Sequence, residues 1–294
     1  MSLNRSEVDK GSMTIFTAEH ILGLIVLGFL TGAYGTLIGA GGGFVLMPLL
    51  LLLYPGESPE HLTSISLAVV FFNALSGSEA YAFMKRIDYR SGTLFAVFTI
   101  PGAVVGALHT SHVPRSLFDG IFGILLLAAA IFLLLHPNLQ QKGMKRPHGG
   151  SYQTTRHIVE ADGSIHTYAF NPIVGAVLSF FVGYVSSFLG IGGGIIHVPA
   201  LVYLLNFPVH IATATSHFIL ANMALTGTVV HIITGTFAQG VQQTLSLAIG
   251  VVLGAQLGAH LSTRLRGKLI IQSLSVALGL VGIRILILAL KAVL

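Results

Sequence analysis

The chain of 294 residues contains no cysteine and no tryptophan. Without cysteine, disulfides, zinc–thiolate sites and redox thiols are excluded. Without tryptophan, an interfacial aromatic belt has to rest on Tyr and Phe. Charge is scarce as well. Lys, Arg, Asp and Glu make up 9% of the chain, against about 25% in a soluble domain. Hydrophobic residues make up 53%, and the mean hydropathy is +0.85. This composition is that of an all-α polytopic membrane protein. The net charge of +5 is too thinly spread for a nucleic-acid footprint. The basic residues sit in short loops, where they set topology. The opening stretch Met1–Glu19 is polar and mixed in charge, so a cleaved signal peptide is not expected.

What is present is a pattern written twice. Gly39-Ala40-Gly41-Gly42-Gly43 is followed, after four intervening residues, by Pro48, and Gly190-Ile191-Gly192-Gly193-Gly194 in the same way by Pro199. Subtracting the numbers places the two copies 151 positions apart. Glycine disfavours a helix by about 1 kcal/mol relative to Ala, so three in a row mark a helix break with bare backbone. The apolar runs after the breaks, 44–54 and 195–205, are about eleven residues each. A full crossing takes about 20, so each is a short, broken helix.

The remaining apolar runs lay out two repeats of about five helical segments, at 17–135 and 171–291. Asn73 lines up with Asn222, Ser64 with Thr213, and Gly102-x-x-x-Gly106 with Gly250-x-x-x-Gly254. The small-residue pairs read as helix packing. Between the repeats, 136–170 is a polar linker expected on the cytoplasmic side. In it, Ile158, Ile165 and Tyr168 flank Ala161-Asp162-Gly163-Ser164, which signals a small β-hairpin. If each short run crosses, five segments invert one repeat relative to the other. The basic stretches Lys85–Arg90, Lys142–Arg156 and Arg264–Lys268 then share one side, as positive-inside topology favours. If the short runs are re-entrant, the repeats are parallel and the third basic stretch falls outside.

Inverted repeats with broken helices hold small substrates near the midplane. The first N–H groups of each short helix lack intrahelical partners and carry partial positive charge, so Gly41, Gly42, Gly43 and Gly192, Gly193, Gly194 frame an anion site. Asn73 and Asn222 add amide donors, and Ser64, Ser66, Thr213, Thr215 and Ser216 add hydroxyls. Ionisable groups inside spans are functional candidates by default. His197, His217 and Arg284 are the candidates here for a proton relay or a substrate contact. Glu79 reads equally as a snorkelling group beside Lys85 and Arg86, and Asp119 as the partner of Arg115 four residues before it.

These residues resemble the TauE/SafE, or sulfite exporter, family. The likeness is carried by Leu37-Ile38-Gly39-Ala40-Gly41-Gly42-Gly43 with Pro48, by Phe188-Leu189-Gly190-Ile191-Gly192-Gly193-Gly194 with Pro199, and by Ala212-Thr213-Ala214-Thr215-Ser216 with Asn222. The first repeat departs from it with Thr63-Ser64-Ile65-Ser66. The resemblance implies a multi-pass inner-membrane transporter of sulfur-containing anions such as sulfite, sulfonates or sulfoacetate, often an exporter and not an enzyme. The expected partners are a small anionic substrate and the lipid bilayer, with protons or the membrane potential as the coupling force, and no cofactor, metal or nucleic acid is expected. A passive anion channel is the alternative. A metal-cation transporter, suggested by the 13 His, is a weaker one, because the His of the linker are not closely spaced.

Overall fold

The computed structural model describes residues 18–135, 153–262 and 267–291. Met1–Thr17, the linker stretch 136–152 and the basic residues 263–266 lie outside the described residues. Ten helices and one hairpin follow in order: α1 (Ala18–Ile38), α2 (Gly43–Leu53), α3 (Pro59–Phe83), α4 (Tyr89–Thr110), α5 (Arg115–Leu135), β1 (Thr154–Val159), β2 (Ile165–Phe170), α6 (Pro172–Leu189), α7 (Gly194–Tyr203), α8 (Val209–Ile233), α9 (Val241–Leu261) and α10 (Gly267–Lys291). A 3-10 turn, Thr236–Gly240, joins α8 to α9. Among the described residues seven segments are long and apolar enough to cross a membrane, and α2 and α7 are the short apolar helices the glycine motifs predict.

The ends of the helices follow local chemistry. Ser58 accepts from the His61 N–H, with Pro59 at the first helical position. Asn171 does the same for α6 ahead of Pro172. In both, the side chain satisfies an orphan N–H and the proline costs no hydrogen bond.

The two repeats are inverted. At one end of the bundle, Thr236 Oγ1 just past α8 donates to Glu60 Oε1 at the start of α3, at 2.6 Å. At the other end, the Asp88 N–H just past α3 donates to Thr215 Oγ1 early in α8, at 3.1 Å. The equivalent helices α3 and α8 therefore run antiparallel. The end that carries Asp88 also holds the hairpin and is called the linker end; the other is the distal end. Helix α9 runs beside α3 in the same direction, since Gly240 approaches His61 and Ile65 while Ser76 donates to Val252 O. It finishes at the linker end, where the described basic residues Arg86 and Arg156 are held by Glu160 and by Asp88 and Ser91.

Each repeat lends its first helix to the other. Helix α1 packs along α9, and α4 along α6. Side chains are absent where these backbones meet. Gly32 faces Val251, Gly254 faces Phe29 and Ala33, and Gly102 and Gly106 face the backbone of Phe180, Tyr184 and Phe188. In lipid, with little hydrophobic drive between helices, such close approach is what holds them. The packing role expected of these glycines is correct, but the register differs. Gly102 and Gly106 match Gly254 and Gly258, which touch the corresponding stretch of α1, rather than Gly250 and Gly254. Helix α10 lies along α5, and together they bury α2, with Phe118, Phe122, Leu278 and Ile285 around Leu46, Met47 and Leu50.

The hairpin forms where Asp162-Gly163 predicts it, pairing Val159 with Ile165 and Thr154 with Phe170. The Ser164 N–H donates to Asp162 Oδ1 at the turn. The hairpin is docked across both repeats. Arg86 Nε donates to Glu160 Oε2 at 2.6 Å, and the Tyr168 hydroxyl donates to Asp88 Oδ2 at 2.8 Å. On the second repeat, the rings of Tyr168 and Phe170 lie 4.5 and 5.1 Å from Phe207.

Candidate substrate site at two facing helix breaks

Each break turns the chain back on itself. The N–H groups of Ala40 and Gly41 donate to Gly35 O in α1, and Gly35 lies directly against Gly42. Gly42 has φ 73° and caps α2. In the second copy Gly193 has φ 67° and caps α7, and the Ile191 N–H donates to Ser186 O. These left-handed corners favour glycine. Helix α2 then runs back toward the distal end, where Arg115 reaches Leu51 O. Helix α7 runs back toward the linker end, where Leu201 packs with Phe95, Tyr168 and Phe170.

The two breaks touch. A methyl placed on Gly43 would lie 2.7 Å from the Ile191 carbonyl oxygen, and one on Gly194 would lie 2.5 Å from the Ala40 Cα. These contacts are equivalent under the 151-residue repeat, so the breaks face each other across a pseudo-two-fold axis. Val70 and Leu220 flank them, against Gly192 and Gly41 respectively. Each break also leans on the helix of the opposite repeat. Ser66 Oγ donates to Gly190 O at 2.6 Å, and the Thr213 methyl meets Gly39.

Unused donors gather here. Asn73 is 1% exposed; its Oδ1 accepts from Thr36 Oγ1 at 3.1 Å. Its Nδ2 has no partner and stands 3.3 Å from where a Gly42 Cβ would be. On the other side Ser186 Oγ, also unpartnered, lies 2.5 Å from the Cβ position of Gly193. Thr63 Oγ1, on the residue against Gly190, is buried and unpartnered as well, as are two groups away from the breaks, Ser187 Oγ against Gly227 and Ser216 Oγ elsewhere on α8. A buried polar atom without a partner costs about 1–3 kcal/mol, so a cluster of them beside two helix N-termini invites a hydrogen-bonding ligand. A cavity of about 720 Å³ lies elsewhere, between α5, α6 and α7, and is lined by apolar groups such as Leu125, Phe132, Leu178 and Ile196.

The sequence-expected residues divide. Gly41, Gly42, Gly43, Gly192, Gly193, Gly194 and Asn73 are brought together, and Thr213 joins them through its methyl. Asn222 is turned away, donating to Phe218 O on its own helix. Ser64 donates to His61 O, and Thr215 holds Asp88 at the linker end. His197 approaches Ser179 Oγ at 3.3 Å, and His217 packs edge-on to Tyr81 above Gly77. Both histidines are buried. Arg284 is exposed on α10 and is not brought to the breaks. Glu79 is exposed, and Asp119 pairs with Arg115 at 2.9 Å as expected. Ser186, Ser187 and Thr63 were not anticipated. The signal for them was the repeat itself: Thr63 meets Gly190 as Thr213 meets Gly39, an offset of 150 rather than 149.

Compared with known proteins, the chain matches the family described as Sulfite exporter TauE/SafE over residues 24–285. It is 32% identical over 269 residues to the Probable membrane transporter protein YunE of Bacillus subtilis, covering 90% of this chain and 96% of that one. It is 27% identical to the Probable membrane transporter protein YdhB of the same bacterium, covering 72% and 79%. A probable membrane transporter protein of Methanocaldococcus jannaschii is 23% identical, over 72% of this chain and 73% of that one. No solved structure matches significantly.

Proposed function

The chain belongs to the sulfite exporter TauE/SafE family and is a multi-pass membrane transporter, and from that premise we propose that it is a secondary transporter, an exporter of sulfur-containing anions such as sulfite, sulfonates or sulfoacetate. The substrate binds between the two glycine breaks and is exposed to each side of the membrane in turn. The observation that carries this reading is the facing of two helix N-termini with unpartnered Asn73 and Ser186 donors beside them.

Magnitudes shape the mechanism. One helix end contributes about 0.3–2 kcal/mol toward an anion, whereas removing an ion from water costs several kcal/mol. The anion therefore takes donors from both breaks at once, Asn73 Nδ2 and Ser186 Oγ, while the Gly43 and Gly194 N–H groups close the turns by donating to Gly41 O and Gly192 O. A sulfonate or sulfite, with three oxygens, can accept from both sides. The close contact of Gly43 with Ile191 supports a carrier over a standing pore, because an ion passes only when the breaks part. The basic linker end supports a cytoplasmic placement of the hairpin in an inner membrane. A membrane potential, negative inside, then moves each anionic charge outward with about 2.3 kcal/mol per 100 mV.

The test is a thermal-shift panel of sulfite, sulfate, thiosulfate and sulfoacetate on purified protein, repeated on Asn73→Leu and Ser186→Ala. Stabilisation by one of these anions, weakened in both variants, is the expected result. Stabilisation untouched by either variant refutes a site between the breaks.

A further inference from the structure

The pseudo-symmetry sets one side chain apart. The contact of Gly77 with Thr36 and His217 is repeated by Gly227 with Ser187 and Leu67, so α3 and α8 correspond at an offset of 150. Tyr81, whose hydroxyl donates to Thr36 O at 2.9 Å, then has His231 as its counterpart. Tyr81 faces the linker end and His231 the distal end. Like Tyr81, His231 is fully buried, but neither of its ring nitrogens is partnered. A neutral imidazole offers one donor and one acceptor, so both are idle.

The surroundings of His231 favour a cation over an anion. It lies in the last turn of α8, where the negative end of the helix dipole stabilises a positive charge. Leu67 crosses Gly227, and one turn further on the antiparallel register brings Thr63 alongside His231. Glu60 begins the same helix and is tied to Thr236, just beyond α8. The titratable groups around this end are Glu60 and His61 of α3 and Glu57 before it, with His61 Nε2 4.0 Å from Glu57 Oε2. The turn after α8 and the start of α9 contribute only neutral Thr236, Gln243 and Thr244. From α4, His109 is spent on the Tyr184 hydroxyl. Arg115, the nearby cation, is held by Asp119 and by Leu51 O and Glu57 O. Thr63 in turn abuts Gly190 of the second break through its methyl and Cα, so Glu60, Thr63 and His231 share the α3–α8 seam that leads to the candidate site.

We propose that His231 is the proton-binding site of the transport cycle, loaded from the distal side with Glu60 as its counter-charge. This rests on the reading of the chain as a secondary anion transporter. Protonation joins a solution proton to one idle ring nitrogen, and both nitrogens then donate, toward Thr63 and the carboxylate side. No other bond changes.

The test uses the full chain in liposomes. Proton movement accompanying a thiosulfate or sulfoacetate gradient is followed with an internal pH dye. Anion counterflow is followed at equal pH on both sides. In His231→Gln, proton movement per anion falls by about tenfold or more while counterflow stays within about threefold, as expected for an ionisable group whose charge, not its packing, is used. A histidine difference spectrum against the same variant in nanodiscs shows the wild-type His231 signal titrating. Wild-type proton coupling retained in His231→Gln, or a signal that does not titrate, overturns the inference. Wild-type anion flux without proton movement also overturns it and leaves the transport reading standing. Absence of flux for every anion removes the transport reading itself.

Discussion

The contact between the breaks can be tested with a single methyl group. Gly43→Ala puts a carbon 2.5 Å from Val70 Cγ2, 2.7 Å from Ile191 O and 2.8 Å from Ile191 C. The valine methyl can rotate away, but the carbonyl belongs to the other break and can move only with it. Overpacking of this kind costs about 1–3 kcal/mol, while Ala in place of Gly at a helix position returns up to about 1 kcal/mol. From the middle of these ranges the net loss is about 1 kcal/mol, or about 2–4 °C in melting temperature at the usual scaling for chains of this order of size. Gly194→Ala meets Ala40 Cα at 2.5 Å and Gly39 O at 2.7 Å and should lose a similar amount. Because both methyls push the same surfaces apart, the double variant should lose less than the sum by about 0.5 kcal/mol or more. Gly120→Ala, with nothing within 4 Å of its added carbon, serves as the control and should melt no lower than the parent. The assay is thermal unfolding in detergent, with anion flux measured in parallel. If the two break variants behave like the control, or if their losses simply add, the breaks do not meet and the site between them dissolves.

Three further outcomes follow from the packing. Gly254→Leu drives a side chain into the backbone of Phe29 and Ala33 and should cost about 3 kcal/mol or more, seen as loss of the monodisperse peak in size-exclusion chromatography. Arg115→Lys surrenders the two-pronged bond to Asp119 and the reach to Leu51 O and Glu57 O; about 2 kcal/mol of thermal stability should go with it, and a loss near zero would deny these bonds a role. Burial first, and then the Asp88 carboxylate, hold the Tyr168 phenol far above its ordinary 10.0. Its contribution is therefore complete below about pH 10 and fades as the pH climbs beyond, where the undocked phenol ionises. A spin label at Asp162→Cys, unique in a chain without cysteine, should gain mobility above that pH, and Tyr168→Phe should abolish the dependence.

The sequence announced large parts of this architecture through chemistry that acts locally. The doubled glycine motif predicts two short helices, Asp162-Gly163 predicts the hairpin, and Arg115 predicts the capture of Asp119; all three are found. It misled wherever residues were matched by identity across the repeats. Helix α2 has 11 residues and α7 has 10, so the offset falls from 151 at the breaks to 150 along α3 and α8. A one-residue slip turns a helix by about 100°. Asn222 and Ser64, which read as donors, accordingly bond within their own helices, and Met223 occupies the place of Asn73. The polar residues that do meet the second break, Ser186 and Thr63, have no motif of their own. They became visible only once the contacts of Gly39 and Gly190 fixed the true register.

The exchange of first helices between the repeats also bears on how the protein is made. Gly28 and Gly32 of α1 face Leu247 and Val251 of α9, which leave the ribosome some 220 residues later. At about 5–20 residues per second the bare face of α1 waits roughly 10–40 s for its partner. Throughout that time the first repeat stands in the bilayer with its inner surface open to lipid or to insertion machinery. Neither repeat is a finished object by itself, and the native packing can close only after the ninth helix has been threaded in beside the first.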